Sequence, residues 1–143
     1  VENYGNWFDI PYAITYFYNV YGDREISTGK YATLIALFLN KIKNNEKLTI
    51  VSPGTQKRNF THIDDIISGL ILIGENGYGD DFGIGCEKSY TVLEVAKMFG
   101  GDIEMLPERR GNRMVADVIT EKTMKLGWSP KKTLNNYIQE CLN

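Results

Sequence analysis

The chain has 143 residues, of which 43% are apolar, with 16 Lys and Arg against 18 Asp and Glu. A chain of this length amounts to one domain, which should bury roughly 70% of its unfolded surface if it is compact. Because the basic excess typical of proteins that bind nucleic acids or anionic membranes is missing, we expect neither partner.

The cysteines and the apolar runs indicate the cellular compartment. Cys86 and Cys141 lie far apart in the sequence, which favours neither a disulfide framework nor a zinc site. The longest apolar runs, 34–39 and 70–73, fall far short of the ~20 residues that span a bilayer. We therefore expect a cytoplasmic protein without bound metal. Because residues 1–8 contain no Met and are rich in aromatics, we also expect a truncated piece of a longer chain.

The first half of the chain alternates between extended and helical patterns. The apolar, aromatic and β-branched stretch Pro11–Phe17 indicates a strand buried on both faces, and we predict that this strand runs over Ala13–Val20. After a loop rich in Gly, Asp, Ser and Thr, apolar residues recur at steps of three and four in Tyr31–Lys43, which predicts an amphipathic helix. Leu48–Val51 is a predicted short strand, and the turn residues 52–54 follow it.

A second extended segment and a helix occupy the middle of the chain. Arg58–His62 is predicted to be extended, and Asp64 or Asp65 is the expected N-cap of a helix over Ile66–Ile73. A glycine inside a helix costs about 1 kcal/mol relative to alanine. We therefore expect Gly69 to mark a close backbone approach.

The last third of the chain continues the alternation. Thr91 and Glu94 have the spacing of a capping box. The remaining predicted elements are a strand over Phe82–Gly85, a helix over Val95–Phe99, a strand over Ile103–Met105, and helices over Thr120–Leu126 and Thr133–Leu142. Short strands that alternate with helices indicate the α/β class.

Asn19 stands at the end of the first predicted strand and has two interpretations. Open α/β sheets bind ligands beyond the carboxyl ends of their strands, so the amide could face a ligand. An asparagine before Tyr21 and Gly22 could equally close a turn by bonding its own backbone. The residues alone leave both interpretations open.

The charged residues also have more than one interpretation. Arg58, in a polar loop that leads into a strand, is well placed to bind a phosphate with two parallel hydrogen bonds, or it is a solvated surface charge. Arg109, Arg110 and Arg113 are three of the five arginines of the chain, either in a binding loop or in a flexible charged one. His62, the only histidine, is expected to be a hydrogen-bonded structural residue.

Two motifs are missing from the sequence. No tyrosine is followed four residues later by lysine, and no glycine cluster has the spacing of a dinucleotide-binding turn after a strand. We therefore predict no catalytic and no cofactor-binding residue within residues 1–143.

A set of short motifs, in this order, carries a resemblance to a known family. The motifs are FDIP at 8–11, NVYG at 19–22, KYAT at 30–33, LTIV at 48–51, QKRNFTHIDD at 56–65, FGIG at 82–85, RRGN at 109–112 and LGWSP at 126–130. Together they resemble the C-terminal half of the extended short-chain dehydrogenase/reductases, in particular the NAD-dependent nucleotide-sugar epimerases and dehydratases of the UDP-glucose 4-epimerase type.

The resemblance implies a role for individual polar residues. Asn19 matches the asparagine that faces the bound sugar nucleotide, and Arg58 matches the arginine of an R-x-F-x-H motif that contacts its phosphates or ribose. Arg109 matches the arginine of a later R-x-G-D motif, which contacts the phosphates from the other side. Asn112 stands where that motif often has its acid.

The resemblance also implies that substrate and NAD bind to two different domains. Residues 1–143 would form the substrate domain, with 1–22 the end of an NAD-binding domain that otherwise precedes this chain, and Thr49 and Val51 would frame the base. NAD would bind to that missing domain, the full-length form would be a homodimer, and this chain alone would be inactive. The alternative is a stand-alone module that binds a nucleotide or phosphate ligand without catalysis.

Overall fold

The computed structural model describes residues 1–108 and 117–143, and its fold is of the predicted α/β class. The elements of the described part are, in chain order, α1 (Glu2–Phe8), β1 (Ala13–Phe17), β2 (Val20–Tyr21), α2 (Leu34–Lys43), β3 (Leu48–Val51), β4 (Lys57–Asn59), β5 (Thr61–His62), α3 (Ile63–Asn76), β6 (Gly79–Ile84), β7 (Ser89–Thr91), α4 (Val92–Phe99), β8 (Ile103–Leu106), α5 (Glu121–Lys125) and α6 (Leu134–Leu142).

The strands associate in pairs. In the part of the chain that the structure describes, β1 with β6, β2 with β5 and β3 with β8 are parallel, whereas β4 and β7 are antiparallel. Parallel neighbours require a crossover between them, and the intervening helices supply it. The register places Phe17 beside Ile84 in the first pair and Tyr21 beside His62 in the second.

The prediction that the first strand is buried on both faces is wrong. Tyr16 and Phe17 at the end of β1 are 45% and 49% exposed, and Trp7 and Phe8 of α1, a helix that the sequence did not predict, are exposed as well. Apolar composition reports which residues favour burial. It does not report whether another element covers them.

The strand also ends earlier than predicted, at Phe17 rather than Val20. Asn19 has a left-handed backbone conformation with φ of 39°, which asparagine tolerates better than most residues. The chain turns there and enters β2, so one apolar stretch supplies strands to two different pairs.

Two apolar clusters form the interior. The larger one packs α2, α4 and α6 against β3, with Phe38, Leu48, Val95 and Ile138 at its centre. The smaller one joins α3 and β6 to the segment after α5 and is formed by Ile66, Ile73, Phe82, Ile84 and Trp128.

The start of α3 corrects the predicted cap. The N-cap is His62, whose Nδ1 accepts a hydrogen bond from the backbone N–H of Asp64 at 3.1 Å. Asp64 and Asp65 lie in the first turn of the helix instead. Their negative charges there interact favourably with the partial positive charge of the helix N-terminus. The hydrogen bond from Asp64 confirms the interpretation of His62 as a hydrogen-bonded structural residue. An imidazole nitrogen without a proton can act as the acceptor.

Asp65 joins α3 to the C-terminal part of the chain. Its side chain is 4% exposed, and its carboxylate accepts hydrogen bonds from the backbone N–H groups of Lys131 at 3.0 Å and Lys132 at 2.9 Å. Its backbone carbonyl accepts from Nε1 of Trp128 at 2.9 Å. One residue thus fixes the entry to α6 and the indole of the smaller cluster.

The predicted close approach at Gly69 is present, and the atoms that approach its backbone belong to side chains. A Cβ atom there would lie 2.9 Å from Cγ2 of Ile84 and 3.0 Å from Nε1 of Trp128. The capping box is confirmed too: the backbone N–H of Glu94 donates to the hydroxyl of Thr91 at 3.1 Å, and the Glu94 carboxylate accepts from the backbone N–H of Thr91 at 2.7 Å. The carboxylate also accepts from the Thr91 hydroxyl, and the two bonds it accepts, first that from the backbone N–H, lower the pKa of Glu94.

We expect Asp65→Asn to lower the free energy of unfolding by about 1–3 kcal/mol, because the buried carboxamide offers one acceptor oxygen to two backbone N–H groups. Urea denaturation measures this change. Asp64→Asn is the matched control, since the neighbouring carboxylate is exposed and its replacement should change stability by less than about 0.5 kcal/mol. Equal effects of the two substitutions would contradict the role given to Asp65.

Candidate functional site

A cavity of about 370 Å³ lies between the loop that precedes α2, the first turn of α2 and the segment through β4. The residues that line it include Asn19, Glu25, Thr33, Gln56, Arg58 and Phe60. Two residues predicted from the sequence, Asn19 and Arg58, are therefore brought together, although 38 positions separate them in the chain.

Asn19 connects two parts of the cavity wall. Its side-chain Nδ2 donates to the backbone carbonyl of Asn59 at 2.9 Å, and its own carbonyl accepts from the N–H of Thr61 at 3.3 Å. The amide of Asn59 in turn donates to the carbonyls of Cys86 and Glu87, both at 2.9 Å. The side-chain amide of Asn19 thus bonds to another segment of the chain and not to its own turn. Asn19 also lines the cavity.

Arg58 supplies positive charge to the cavity. It is half-buried in the middle of β4, between the exposed Lys57 and the buried Asn59, and its Nη1 donates to the carbonyl of Lys57 at 2.8 Å. A guanidinium in a partly desolvated wall interacts with an anion more strongly than a fully solvated one does. The position therefore suits a negatively charged ligand.

The N-terminus of α2 forms another part of the wall. Thr33 is the N-cap residue, but its hydroxyl donates to the carboxylate of Glu25 and does not cap the helix. The first N–H groups of a helix have no partner within it and carry partial positive charge. Because Leu34 and Ile35 line the cavity, this end of α2 presents backbone N–H donors there, beside the carboxylate of Glu25.

Glu25 and Thr33 were missed in the sequence analysis. Glu25 also accepts from the backbone N–H of Gly22 at 3.0 Å, so its carboxylate holds the two ends of the loop before α2. The available signal was Thr33 directly before an apolar run with helical spacing, a typical N-cap pattern. This pattern was not used, because the helix was predicted to begin at Tyr31 and Thr33 was counted inside it.

A cluster of three aromatic side chains, Tyr21, His62 and Tyr137, adjoins the same loop. The ring of Tyr21 lies 5.2 Å from the rings of both His62 and Tyr137, measured between centroids. Burial raises the pKa of Tyr21 and of Tyr137, so both phenols remain neutral at physiological pH. The group anchors β2 and thereby the start of the loop at Gly22.

Thr49 and Val51 do not line the cavity. In β3, Leu48 and Ile50 are buried in the larger cluster, whereas Thr49 and Val51 are half-buried on the opposite face of the strand. Their role as residues that frame a base stays a prediction.

Arg109 and Asn112, the other two predicted site residues, lie outside the described residues. Within 1–108 and 117–143, no group of three or more His, Cys, Asp or Glu side chains is arranged to hold a metal ion. The helices of those ranges are all too short or too polar to cross a bilayer.

Comparisons with known proteins give a consistent result. A family model described as the NAD dependent epimerase/dehydratase family matches residues 1–85. Over its whole length the chain is 28% identical to a protein named "Putative UDP-glucose 4-epimerase" from Methanocaldococcus jannaschii, of which it covers 48%. It is 35% identical to a dTDP-D-glucose 4,6-dehydratase from Dictyostelium discoideum over 68% of the chain and 22% of that protein.

Solved structures agree with these sequence relatives. A UDP-glucose 4-epimerase from Thermotoga maritima, solved with UDP-glucose, is 27% identical and superposes with a TM-score of 0.89 over 96% of this chain and 47% of that one. A UDP-N-acetylglucosamine 4-epimerase from Methanobrevibacter ruminantium has the same fold, with a TM-score of 0.90 at 22% identity over 99% of this chain and 48% of that one. The chain therefore spans about half the length of these structures.

We expect Asn19→Asp to lower the free energy of unfolding by about 1 kcal/mol, because the carboxylate cannot donate to the carbonyl of Asn59. Thermal or urea denaturation without ligand measures the change. Asn45→Asp is the control, since Asn45 is exposed and also has a positive φ, of 53°. If both substitutions cost the same, the bond to Asn59 contributes nothing and only the backbone conformation matters.

Proposed function

The chain belongs to the NAD dependent epimerase/dehydratase family, and we propose that it is the nucleotide-sugar-binding, C-terminal half of such an enzyme. Its coverage of about half of the relatives' length supports this division. The absence of the dinucleotide-binding and Tyr-x-x-x-Lys motifs from residues 1–143 supports an NAD site in the other half.

The convergence of three kinds of hydrogen-bond donor in one cavity carries the proposal. Arg58 provides a guanidinium, the first turn of α2 provides backbone N–H groups, and Asn19 provides an amide at the point where β1 turns into β2. A diphosphate offers only acceptor oxygens and negative charge, which matches such a wall. We assign the diphosphate of a nucleotide sugar to this cavity.

UDP-sugars are the proposed substrates. Relatives named as UDP-glucose 4-epimerases support this choice, and one of them was solved with UDP-glucose. The apolar part of the cavity wall, which includes Val20 and Phe60, suits the less polar parts of such a ligand.

Residues 1–22 are proposed to complete the NAD-binding domain. The parallel pair of β1 and β6 has exposed aromatic residues at Tyr16 and Phe17. A nucleotide-binding sheet that continues this pair would cover them, as doubly wound sheets are buried by helices on both faces.

The chemistry of the complete enzyme follows from the family. When bound, NAD supplies reversible acceptance of a hydride from the carbon of a sugar hydroxyl, which permits epimerisation or loss of water. The residues of this chain hold and orient the nucleotide sugar by its diphosphate. No step that involves NAD is assigned to them.

Arg58→Ala tests the proposed function. We expect the chain to bind UDP and the substitution to weaken this binding by about 1.5–3 kcal/mol, the usual contribution of a hydrogen bond to a charged group. Isothermal titration calorimetry measures both affinities. Lys57→Ala is the matched control, because it removes the same charge from the exposed neighbouring position and should change affinity by well under 1 kcal/mol.

Two results would contradict the proposal. The first is that the parent chain does not bind UDP. The second is that the Arg58→Ala variant binds UDP as tightly as the parent chain does. In the second case Arg58 is a surface charge and the diphosphate lies elsewhere.

A further inference from the structure

Glu25 brings a carboxylate to the same cavity in which Arg58 supplies a guanidinium. Of the described residues that line this cavity, Glu25 and Arg58 are the charged ones. No Lys or Arg side chain within 1–108 and 117–143 forms an ion pair with the Glu25 carboxylate. The proposed diphosphate site therefore contains a negative charge as well as a positive one.

Two hydrogen bonds fix the position of this carboxylate. One oxygen of Glu25, which is half-buried, accepts from the backbone N–H of Gly22 at 3.0 Å. The other oxygen accepts from the hydroxyl of Thr33, the N-cap residue of α2. The carboxylate therefore lies next to the first turn of α2 and cannot turn into solvent without breaking both bonds. A phosphate bound at that turn would be close to its charge.

The charges of the described wall suit a ligand with few negative charges. A helix N-terminus is equivalent to roughly +0.5 elementary charge, so that α2 and Arg58 together supply about +1.5. Glu25 reduces this sum by one unit. Like charges roughly 6–8 Å apart near a protein surface repel each other enough to weaken binding about three- to tenfold at physiological salt. Each additional negative charge on a ligand thus makes its binding less favourable.

The end of the diphosphate decides how many charges a ligand carries. In a nucleotide sugar both phosphates are esterified on both sides, so each carries a single negative charge. The terminal phosphate of a free nucleoside diphosphate has a second pKa of about 6 and therefore carries nearly one charge more at neutral pH. A triphosphate adds a further charge. Specificity can arise in this way from an unfavourable interaction with the wrong ligand.

We propose that Glu25 is a specificity-determining residue that favours the esterified diphosphate of a nucleotide sugar over free nucleoside di- and triphosphates by charge repulsion. This inference rests on the proposed function, and it adds selection by ligand charge to a cavity whose donors attract any phosphate. Arg58 and the first turn of α2 bind the diphosphate that all these ligands share. Glu25 disfavours the ligands whose terminal phosphate carries the additional charge.

Calorimetry with UDP-glucose, UDP and UTP, in the presence of EDTA, tests this selection. Glu25→Gln removes the charge, while its amide retains an acceptor oxygen for Gly22 and gains an N–H donor for the hydroxyl of Thr33. We expect this variant to bind UDP about three- to tenfold more tightly than the parent chain does, with a larger gain for UTP and a smaller one for UDP-glucose. Added salt should reduce these gains, because it screens the repulsion.

Three further variants separate the charge from other effects. Glu25→Asp keeps the charge on a shorter side chain, so it should change the affinities for the three ligands by a common factor. Glu75→Gln makes the same change at an exposed position in α3, away from this cavity, and should behave like the parent. Thermal denaturation shows whether each variant folds, and Glu25→Ala replaces Glu25→Gln in the titrations if the glutamine variant does not.

The outcomes distinguish this inference from the proposed function. If Glu25→Gln changes the binding of all three ligands by the same factor, or leaves it unchanged, Glu25 only positions the loop before α2. If the variant binds UDP-glucose more weakly and UDP as the parent does, the carboxylate contacts the sugar instead. In both cases the selection by charge is wrong while the diphosphate site stands. If the parent binds neither UDP nor UDP-glucose, the proposed function fails and the selection fails with it.

Discussion

The hydrogen bond from the Asn19 amide to the carbonyl of Asn59 is the constraint on which the rest of the site depends. Asn19 turns the chain with a positive φ, so that one apolar stretch supplies β1 to one strand pair and β2 to another. The bond holds this turn against β4, which carries Arg58. A second amide, that of Asn59, extends the connection to the carbonyls of Cys86 and Glu87. The position of the guanidinium is thereby tied to three segments of the chain.

The N-terminus of α2 lacks the side-chain cap that would stabilise it. A threonine cap usually contributes about 1 kcal/mol by accepting from a backbone N–H. Here the hydroxyl of Thr33 is turned to Glu25, and the first turn of α2 faces the cavity without a side-chain cap. Unsatisfied donors that face a cavity are typical of a site that a ligand completes.

The sequence predicted features that depend on local chemistry better than those that depend on distant packing. The capping box at Thr91 and the tight contact at Gly69 follow from single residues and their helices, and both are confirmed. The resemblance of spaced motifs placed Asn19 and Arg58 in one site, which composition and periodicity could not do. The exposure of β1 was mispredicted because a strand's apolar residues do not specify what covers them. The position of Gln56 on the cavity wall was missed for a similar reason, since the partner of an extended segment decides which of its faces meets a cavity.

The central claim is that the first turn of α2, with Asn19 and Arg58, binds a diphosphate. Nuclear magnetic resonance of the ¹⁵N-labelled chain during titration with UDP tests this most directly. The account predicts saturable shifts of the backbone amides of Leu34 and Ile35 and of the Asn19 side chain, with little change at Gly79 beside the smaller apolar cluster. Shifts confined to residues outside the cavity, or no shifts at millimolar UDP, would contradict it.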